Sequence, residues 1–178
     1  KKGEVVLVVG AGGGLGVHAV QVASRLGARV MAVTTSPDKV APLEELGCCE
    51  VILSNELDFS EVALAMTEDR GVDAVINMVG SPALDASLRS LAQFGRMVLL
   101  GEITRNPATI RLAEILFRDA SILGSTGAGR RHIVDSGEMV ELGQIKSVIS
   151  QQFALEDAVQ AYSLMLDKKT FGRVVLMP

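Results

Sequence analysis

Residues 5–16, VVLVVGAGGGLG, constrain this chain more than any other stretch. The first five are apolar and four of them are β-branched. The run is too short for a helix, and Gly10 closes it, so it reads as a strand buried on both faces of a parallel sheet. Gly10, Ala11 and three consecutive glycines follow, then Leu15, Gly16 and a run with helical periodicity. The spacing Ala11-x-Gly13-x-x-Gly16 is that of a dinucleotide-binding turn with alanine in the first place. Small residues allow the tight turn and a close backbone approach to a pyrophosphate, and the last lets helix and strand pack together. The helix N-terminus would add free N–H groups and the positive end of its dipole. Gly13, Gly14, Leu15 and Gly16 are therefore candidate phosphate-binding residues. Glycine clusters also make ordinary loops, so the distinguishing context is the strand before, the helix after and a βαβ rhythm downstream.

That rhythm is present. Leu15, Ala19, Val22, Ala23 and Leu26 share a helical stripe that Gly27 stops, which predicts them as the buried face of the first helix. His18 has no acid or nucleophile near it in sequence and reads as a packed or solvated side chain. Arg29–Thr34 is the second strand. Ser36 as N-cap and Pro37 at the first helical position predict a helix to Leu46. Residues 51–53 read as the third strand and 59–67 as a helix. Val72–Asn77 is the fourth strand, and Ser81-Pro82 starts a helix that runs through Leu91 and closes near Gly95. Residues 96–100 form the fifth strand, 112–118 a helix and Ser121–Gly124 the sixth strand. Alternation of this kind predicts a doubly wound, Rossmann-type α/β fold with a parallel sheet in the order 3-2-1-4-5-6. The ligand then lies at the switch point beyond strands one and four. Gly80, Gly101, Glu102, Ser125 and Thr126, at or just past the ends of strands four to six, complete its rim.

The C-terminal part departs from this pattern. Residues 1–146 read as the dinucleotide-binding domain and 147–178 as a strand-helix-strand tail in another layer. A helix is expected over 130–142, a strand over 146–152, a helix over 155–166 and a strand over 171–177. Ala158, Val159, Tyr162 and Met165 fall at helical spacing and read as core.

The tip of strand two bears on cofactor choice. An acid there would hold the ribose hydroxyls of NAD. This chain has Thr34, Thr35 and Ser36 instead, with Lys39 a turn further on. Hydroxyls and a lysine suit the extra phosphate of NADP. NAD stays open because Asp38 could turn inward.

Composition sets outer bounds. The chain has 178 residues, one domain's worth, and 48% of them are hydrophobic, enough for a full core. A net charge of -4 with scattered lysines and arginines argues against a nucleic-acid partner. Neither a run of membrane-span length nor a signal peptide is visible, so a cytoplasmic protein without a membrane partner is expected. Cys48 and Cys49 are adjacent and have no second pair, which predicts neither a disulfide nor a metal site and fits a reducing compartment. A start at Lys1 with almost no lead-in suggests a fragment.

By these features the chain resembles the medium-chain dehydrogenase/reductase superfamily, and within it the zinc-free quinone oxidoreductase and enoyl reductase branch. The resemblance rests on GEVVLVVGAGGGLGVHAVQVASRLGA (residues 3–28), GVDAVINMVGSPALDASLRSLAQFGRMVLLG (71–101), ILGS (122–125) and FALEDAVQAYSLMLDKKTFGRVVL (153–176). It implies an NADP(H)-dependent hydride-transfer enzyme related to quinone oxidoreductases and alcohol dehydrogenases. Residues 13–16 would hold the pyrophosphate. Thr35, Ser36 and Lys39 would meet the adenosine phosphate, and Gly80, Gly101 and Ser125 would border the nicotinamide. Ser54 stands where many relatives carry a tyrosine near that phosphate. The four-cysteine structural zinc loop is missing. Members of the superfamily carry a GroES-like domain ahead of this region, which supplies much of the substrate pocket and against which the tail packs. They also often pair their sixth strands across a dimer axis, which implies a homodimer through residues 122–125 here.

No residue reads as a general acid. Tyr162 is the sole tyrosine and has no lysine four positions on, unlike a short-chain dehydrogenase. Two rival readings remain. One is a stand-alone nucleotide-binding or sensing module without catalysis. The other is an S-adenosylmethionine-dependent methyltransferase, which would want an acid at the tip of strand two.

Overall fold

The computed structural model describes residues 1–55 and 58–178. In chain order the elements are β1 (Val5–Val9), α1 (Gly16–Arg25), β2 (Arg29–Thr34), α2 (Val40–Glu45), β3 (Glu50–Leu53), α3 (Ser60–Ala65), β4 (Val72–Asn77) and α4 (Leu84–Arg89). They are followed by β5 (Leu91–Leu99), α5 (Leu112–Leu116), β6 (Ser121–Gly124), α6 (Arg130–Glu141), β7 (Ile149–Ala154), α7 (Ala158–Leu166) and β8 (Arg173–Met177). The first six strands form one parallel sheet in the order β3-β2-β1-β4-β5-β6, the order expected from the alternation. Every residue of β1 is buried, as its unbroken apolar run requires. Val5, Leu7 and Val9 face one layer with Met31, Phe59 and Leu88, while Val6 and Val8 face the other with Val17, Val20 and Leu43.

Several local expectations are corrected. The buried face of α1 consists of Gly16, Val17, Val20, Gln21 and Ala23, whereas Leu15 and Leu26 are exposed. The helix starts at Gly16, against the end of β1, and that contact rather than the longest apolar stripe sets its rotation. Ser36 makes no side-chain cap; Thr34 Oγ1 accepts the Ser36 N–H at 3.2 Å, and a 3-10 turn over Pro37–Lys39 precedes α2. The helix after Ser81 ends at Arg89, and β5 already begins at Leu91. Leu91 pairs with Val72, the register then shifts, and Phe94 takes a left-handed φ of 60° where the strand deforms.

The tail forms its own parallel pair, β7 with β8, apart from the main sheet. Its helix does not bury the predicted stripe: Val159, Tyr162 and Met165 are exposed and only Ala161 of α7 is buried. Three links fasten the tail and the residue before it to the main layer, one of them running from Lys39 Nζ to the Lys168 carbonyl. The buried Gln21 side chain donates to the Lys146 carbonyl at 3.1 Å and accepts its N–H at 2.8 Å. The Gly172 N–H donates to the Gly12 carbonyl at 3.1 Å.

One group of charge pairs sits at the N-terminal ends of the strands, away from the expected ligand rim; another joins Arg89 and Arg111 to Asp58 and Asp85. Arg96 on β5 donates to Glu4 at 2.6 Å, Asp73 on β4 accepts the Val5 N–H at 2.7 Å, and Arg70 pairs with Asp73 at 2.8 Å. The hydrogen bond from Arg96 is the largest pull on the Glu4 carboxyl, which lies at about 2 against an ordinary 4.5. A carboxyl whose folded value is depressed contributes stability above its unfolded value and loses it as pH falls through the folded one. The thermal midpoint is therefore expected to fall as pH drops from 4.5 to about 2, and Glu4→Gln should flatten that fall. A parallel decline in the variant, followed by circular dichroism, would contradict the assignment.

Candidate functional site

The C-terminal ends of β1, β2 and β4 meet at the glycine turn. Ala11 N–H donates to the Val33 carbonyl at 3.2 Å, and Met78 N–H to the Val9 carbonyl at 3.2 Å, so the turn is held between its neighbouring strand tips. Gly10 has φ +81°, and Gly13 N–H closes back onto its carbonyl at 3.1 Å. Position 16 must be glycine: a Cβ there would lie 2.5 Å from the Ala11 carbonyl oxygen. Gly13, in contrast, is exposed, and a Cβ on it would meet only the Gly10 oxygen at 3.3 Å. The N–H groups of Leu15 and Gly16 have no acceptor among the described residues, whereas the parallel bridge between Gly13 and Gly172 turns the Gly14 N–H toward the Gly172 carbonyl. Two successive free amides thus stand at the N-terminus of a ten-residue helix, one on the exposed Leu15 and one on the buried Gly16. That is the donor set and dipole a diphosphate needs. His18 caps the turn from within: its Nδ1–H donates to the Gly14 carbonyl at 2.8 Å.

The adenosine-side candidates cluster beside it. Ser54 N–H bonds the Thr34 carbonyl at 3.0 Å, which joins the tips of β2 and β3, while its hydroxyl donates to the Asp58 carbonyl at 3.3 Å. Thr35 and Ser36 are half-buried. Lys39 is buried, its chain lying under Gly12, and its Nζ donates to the Lys168 carbonyl at 2.7 Å. Burial lowers its pKa, partly offset by Asp38 and reinforced by the nearby charge of Lys168.

On the other side, the loops after β4, β5 and β6 enclose a cleft of about 510 Å³. Gly80, Gly101, Glu102, Ser125 and Thr126, all expected at the rim, line it together with Leu84 and Leu99. Gly80 is buried with φ +88°, and a Cβ on Gly101 would lie 3.0 Å from the Met78 carbonyl carbon. Ser125 N–H bonds the Leu99 carbonyl at 3.0 Å.

Two residues at this site were not singled out from sequence. Asn77 is fully buried at the end of β4. Its Oδ1 accepts the N–H groups of Val79 at 2.9 Å and Gly80 at 2.8 Å, and its Nδ2 donates to the Gly80 carbonyl and Ser87 Oγ, both at 3.3 Å. A polar residue closing an apolar strand was the available signal. Arg173 comes from β8, and its Cζ lies 3.1 Å from where a Gly14 Cβ would be. No local pattern announces that approach, because it depends on the Gly172–Gly12 link.

The family model for zinc-binding dehydrogenases matches residues 14–142. Acryloyl-coenzyme A reductase of Sulfurisphaera tokodaii is 36% identical over 179 residues, covering all of this chain and 52% of that protein. An NAD-dependent alcohol dehydrogenase of Saccharolobus solfataricus is 32% identical, over 98% of this chain and 51% of its own length. Among solved structures, the 2-octenoyl-CoA carboxylase reductase CinF, in complex with NADP and 2-octenoyl-CoA, superposes with a TM-score of 0.90 at 27% identity. That match covers 99% of this chain and 44% of CinF. The chain spans about half the length of the curated relatives it matches. Among the described residues, no three His, Cys, Asp or Glu side chains group to hold a metal ion. The zinc of the family's description therefore has no ligand set among them. No helix of the described residues is long and apolar enough to cross a membrane.

The two glycines make opposite predictions. Gly16→Ala should destabilise the protein by about 1–3 kcal/mol, the usual range for overpacking. Gly13→Ala should stay within about 1 kcal/mol of the parent. Denaturant unfolding of both variants checks this, and equal losses would contradict the packing described.

Proposed function

The chain belongs to the zinc-binding dehydrogenase family, within the medium-chain dehydrogenase/reductase superfamily, and from that premise we propose that it is the NADP(H)-binding part of an oxidoreductase. That enzyme would transfer hydride to or from a carbonyl, quinone or enoyl substrate. The observation that carries the reading is the pair of acceptor-free amides, Leu15 and Gly16, on the glycine turn at the sheet's switch point. Gly13, Gly14, Leu15 and Gly16 would cradle the pyrophosphate, with the Arg173 guanidinium on its outer side. The cleft bordered by Gly80, Gly101, Glu102, Ser125 and Thr126 would take the nicotinamide. Thr35, Ser36, Lys39 and Ser54 would take the adenosine phosphate. In this division residues 1–146 form the dinucleotide domain, and the tail from 147 onward joins the substrate-binding part of the protein. Family membership speaks against the methyltransferase alternative.

When bound, the nicotinamide supplies or accepts the hydride. The chain's own residues bind and orient it and keep water from one side of it. Substrate selection is assigned to portions outside this chain, because the relatives are about twice its length. The exposed apolar side chains of α7, Val159, Tyr162 and Met165, offer a face for those portions. The preference for NADP rests on the missing acid at the tip of β2 and on Lys39. CinF is a neighbour with NADP bound, whereas the Saccharolobus relative is NAD-dependent by name. The choice therefore falls to this chain's own residues. To meet a phosphate, Lys39 would share or give up its bond to the Lys168 carbonyl, and the anion would relieve its crowding with the Lys168 charge.

Fluorescence titration tests the assignment. NADPH is expected to bind about tenfold or more tightly than NADH, and Lys39→Ala should bring the two to near parity. Equal affinities in the unaltered protein would remove the NADP preference. Reductase turnover by these 178 residues alone would remove the division of labour.

A homodimer is proposed through β6. This strand ends the sheet, pairs only with β5 among the described residues, and leaves Leu123 half exposed. An uncovered edge of this kind pairs readily with its own copy. Sedimentation should show a dimer that Leu123→Lys converts to monomer; a monomeric parent would contradict the pairing.

A further inference from the structure

Building on that reading of the cleft, we propose that Glu102 is a positioning residue for the nicotinamide end, its carboxylate fastening the loop that leaves β4 to the loop that leaves β5. Five donor groups lie within 3.0 Å of its two oxygens, and the Ser81 and Thr104 hydroxyls also lie 2.8 Å from each other, so four of the five bonds form when one hydroxyl donates to the other. Oε2 accepts the Ser81 N–H at 2.8 Å. Oε1 accepts the Ser81 hydroxyl at 2.9 Å, the Thr104 N–H and hydroxyl at 2.9 Å each, and the Arg105 N–H at 3.0 Å. Ser81 follows β4, whereas Thr104 and Arg105 follow β5, so the carboxylate spans the two loops.

The surrounding backbone is shaped to this bridge. Gly80 lies between the loops, and a Cβ there would sit 2.6 Å from Glu102 Oε2 and 2.7 Å from its Cα. Ile103 N–H donates to the Val79 carbonyl at 3.1 Å, and Arg105 takes a left-handed φ of 58° as its loop wraps the carboxylate. The cleft opens beside this junction, with Gly80, Ser81, Gly101 and Glu102 in its wall. Asn77 holds Gly80 from the buried side and Glu102 holds Ser81 from the exposed side. Hydrogen bonds from the Thr104 and Ser81 amides keep the carboxyl at about 2, so it is charged across the neutral range. Oε1 already accepts from both loops, and Oε2 is the acceptor for the Ser81 N–H, so the full set of bonds needs two acceptor oxygens. Glutamine keeps the size but offers only one, and its NH₂ must then face N–H groups on one side.

The test titrates NADPH and 2′,5′-ADP, which carries only the adenosine end, into the protein and its Glu102→Gln and Glu102→Ala variants. The two variants should bind NADPH about three- to tenfold more weakly, a range reduced for the solvent exposure of the group. Their affinity for 2′,5′-ADP should stay within about twofold of the parent, which also reports that they are folded. Ser81→Ala, which removes one hydroxyl donor and keeps the backbone amide, should show a smaller loss in the same direction. Unchanged NADPH affinity in Glu102→Gln, or an equal loss for both ligands with Ser81→Ala also unchanged, would overturn the proposal. If the unaltered protein binds neither ligand, the dinucleotide reading fails first, before any substitution is made, and this role fails with it.

Discussion

Helix α1 begins in contact with the backbone at the end of β1. A side chain at position 16 would collide with the carbonyl groups of Gly10 and Ala11, so strand and helix meet there with nothing between them. The contact turns Gly16, Val17, Val20 and Ala23 toward the sheet. It also leaves the amides of Leu15 and Gly16 without acceptors, because the helix starts too abruptly to satisfy them. A single packing constraint therefore builds one face of the core and creates the donors of the proposed phosphate cradle. The cost of unpaired amides is small on an accessible turn, where water or an anion can take them.

The rest of the site follows from where the parallel strands end. All six point the same way, so the loops after β1, β2, β4, β5 and β6 share one edge. At the opposite edge, the Glu4–Arg96 and Arg70–Asp73 pairs neutralise one another and tie strand starts together. The ligand edge is organised differently. Asn77 and Glu102 spend their hydrogen bonds on shaping loops, and Arg173 has no carboxylate within 4 Å among the described residues.

Much of this was legible in the residues. The strand order, the switch point and the gathering of Gly80, Gly101, Glu102, Ser125 and Thr126 all follow from alternating apolar runs and their glycine boundaries. The rotation of α1 was not, because the stripe through Leu15 and Leu26 is as periodic as the one through Gly16 and Val20. Only the tertiary contact at Gly16 separates them. The start of β5 at Leu91 was hidden because LeuAlaGlnPhe is also good helix, and pairing with Val72 overrode that propensity. The exposure of Val159, Tyr162 and Met165 follows from the tail forming a separate two-stranded layer that covers little of α7. Arg173 and the Lys39–Lys168 bond were invisible for a common reason: both join residues more than a hundred positions apart through the Gly172–Gly12 link.

The most direct test of the central claim is an ¹⁵N-resolved NMR titration with NADPH that follows individual backbone amides. The account predicts that the Leu15 and Gly16 signals move furthest as the dinucleotide saturates, since those two amides acquire their acceptors from its diphosphate. Saturable binding that leaves these two signals in place while others move would contradict it.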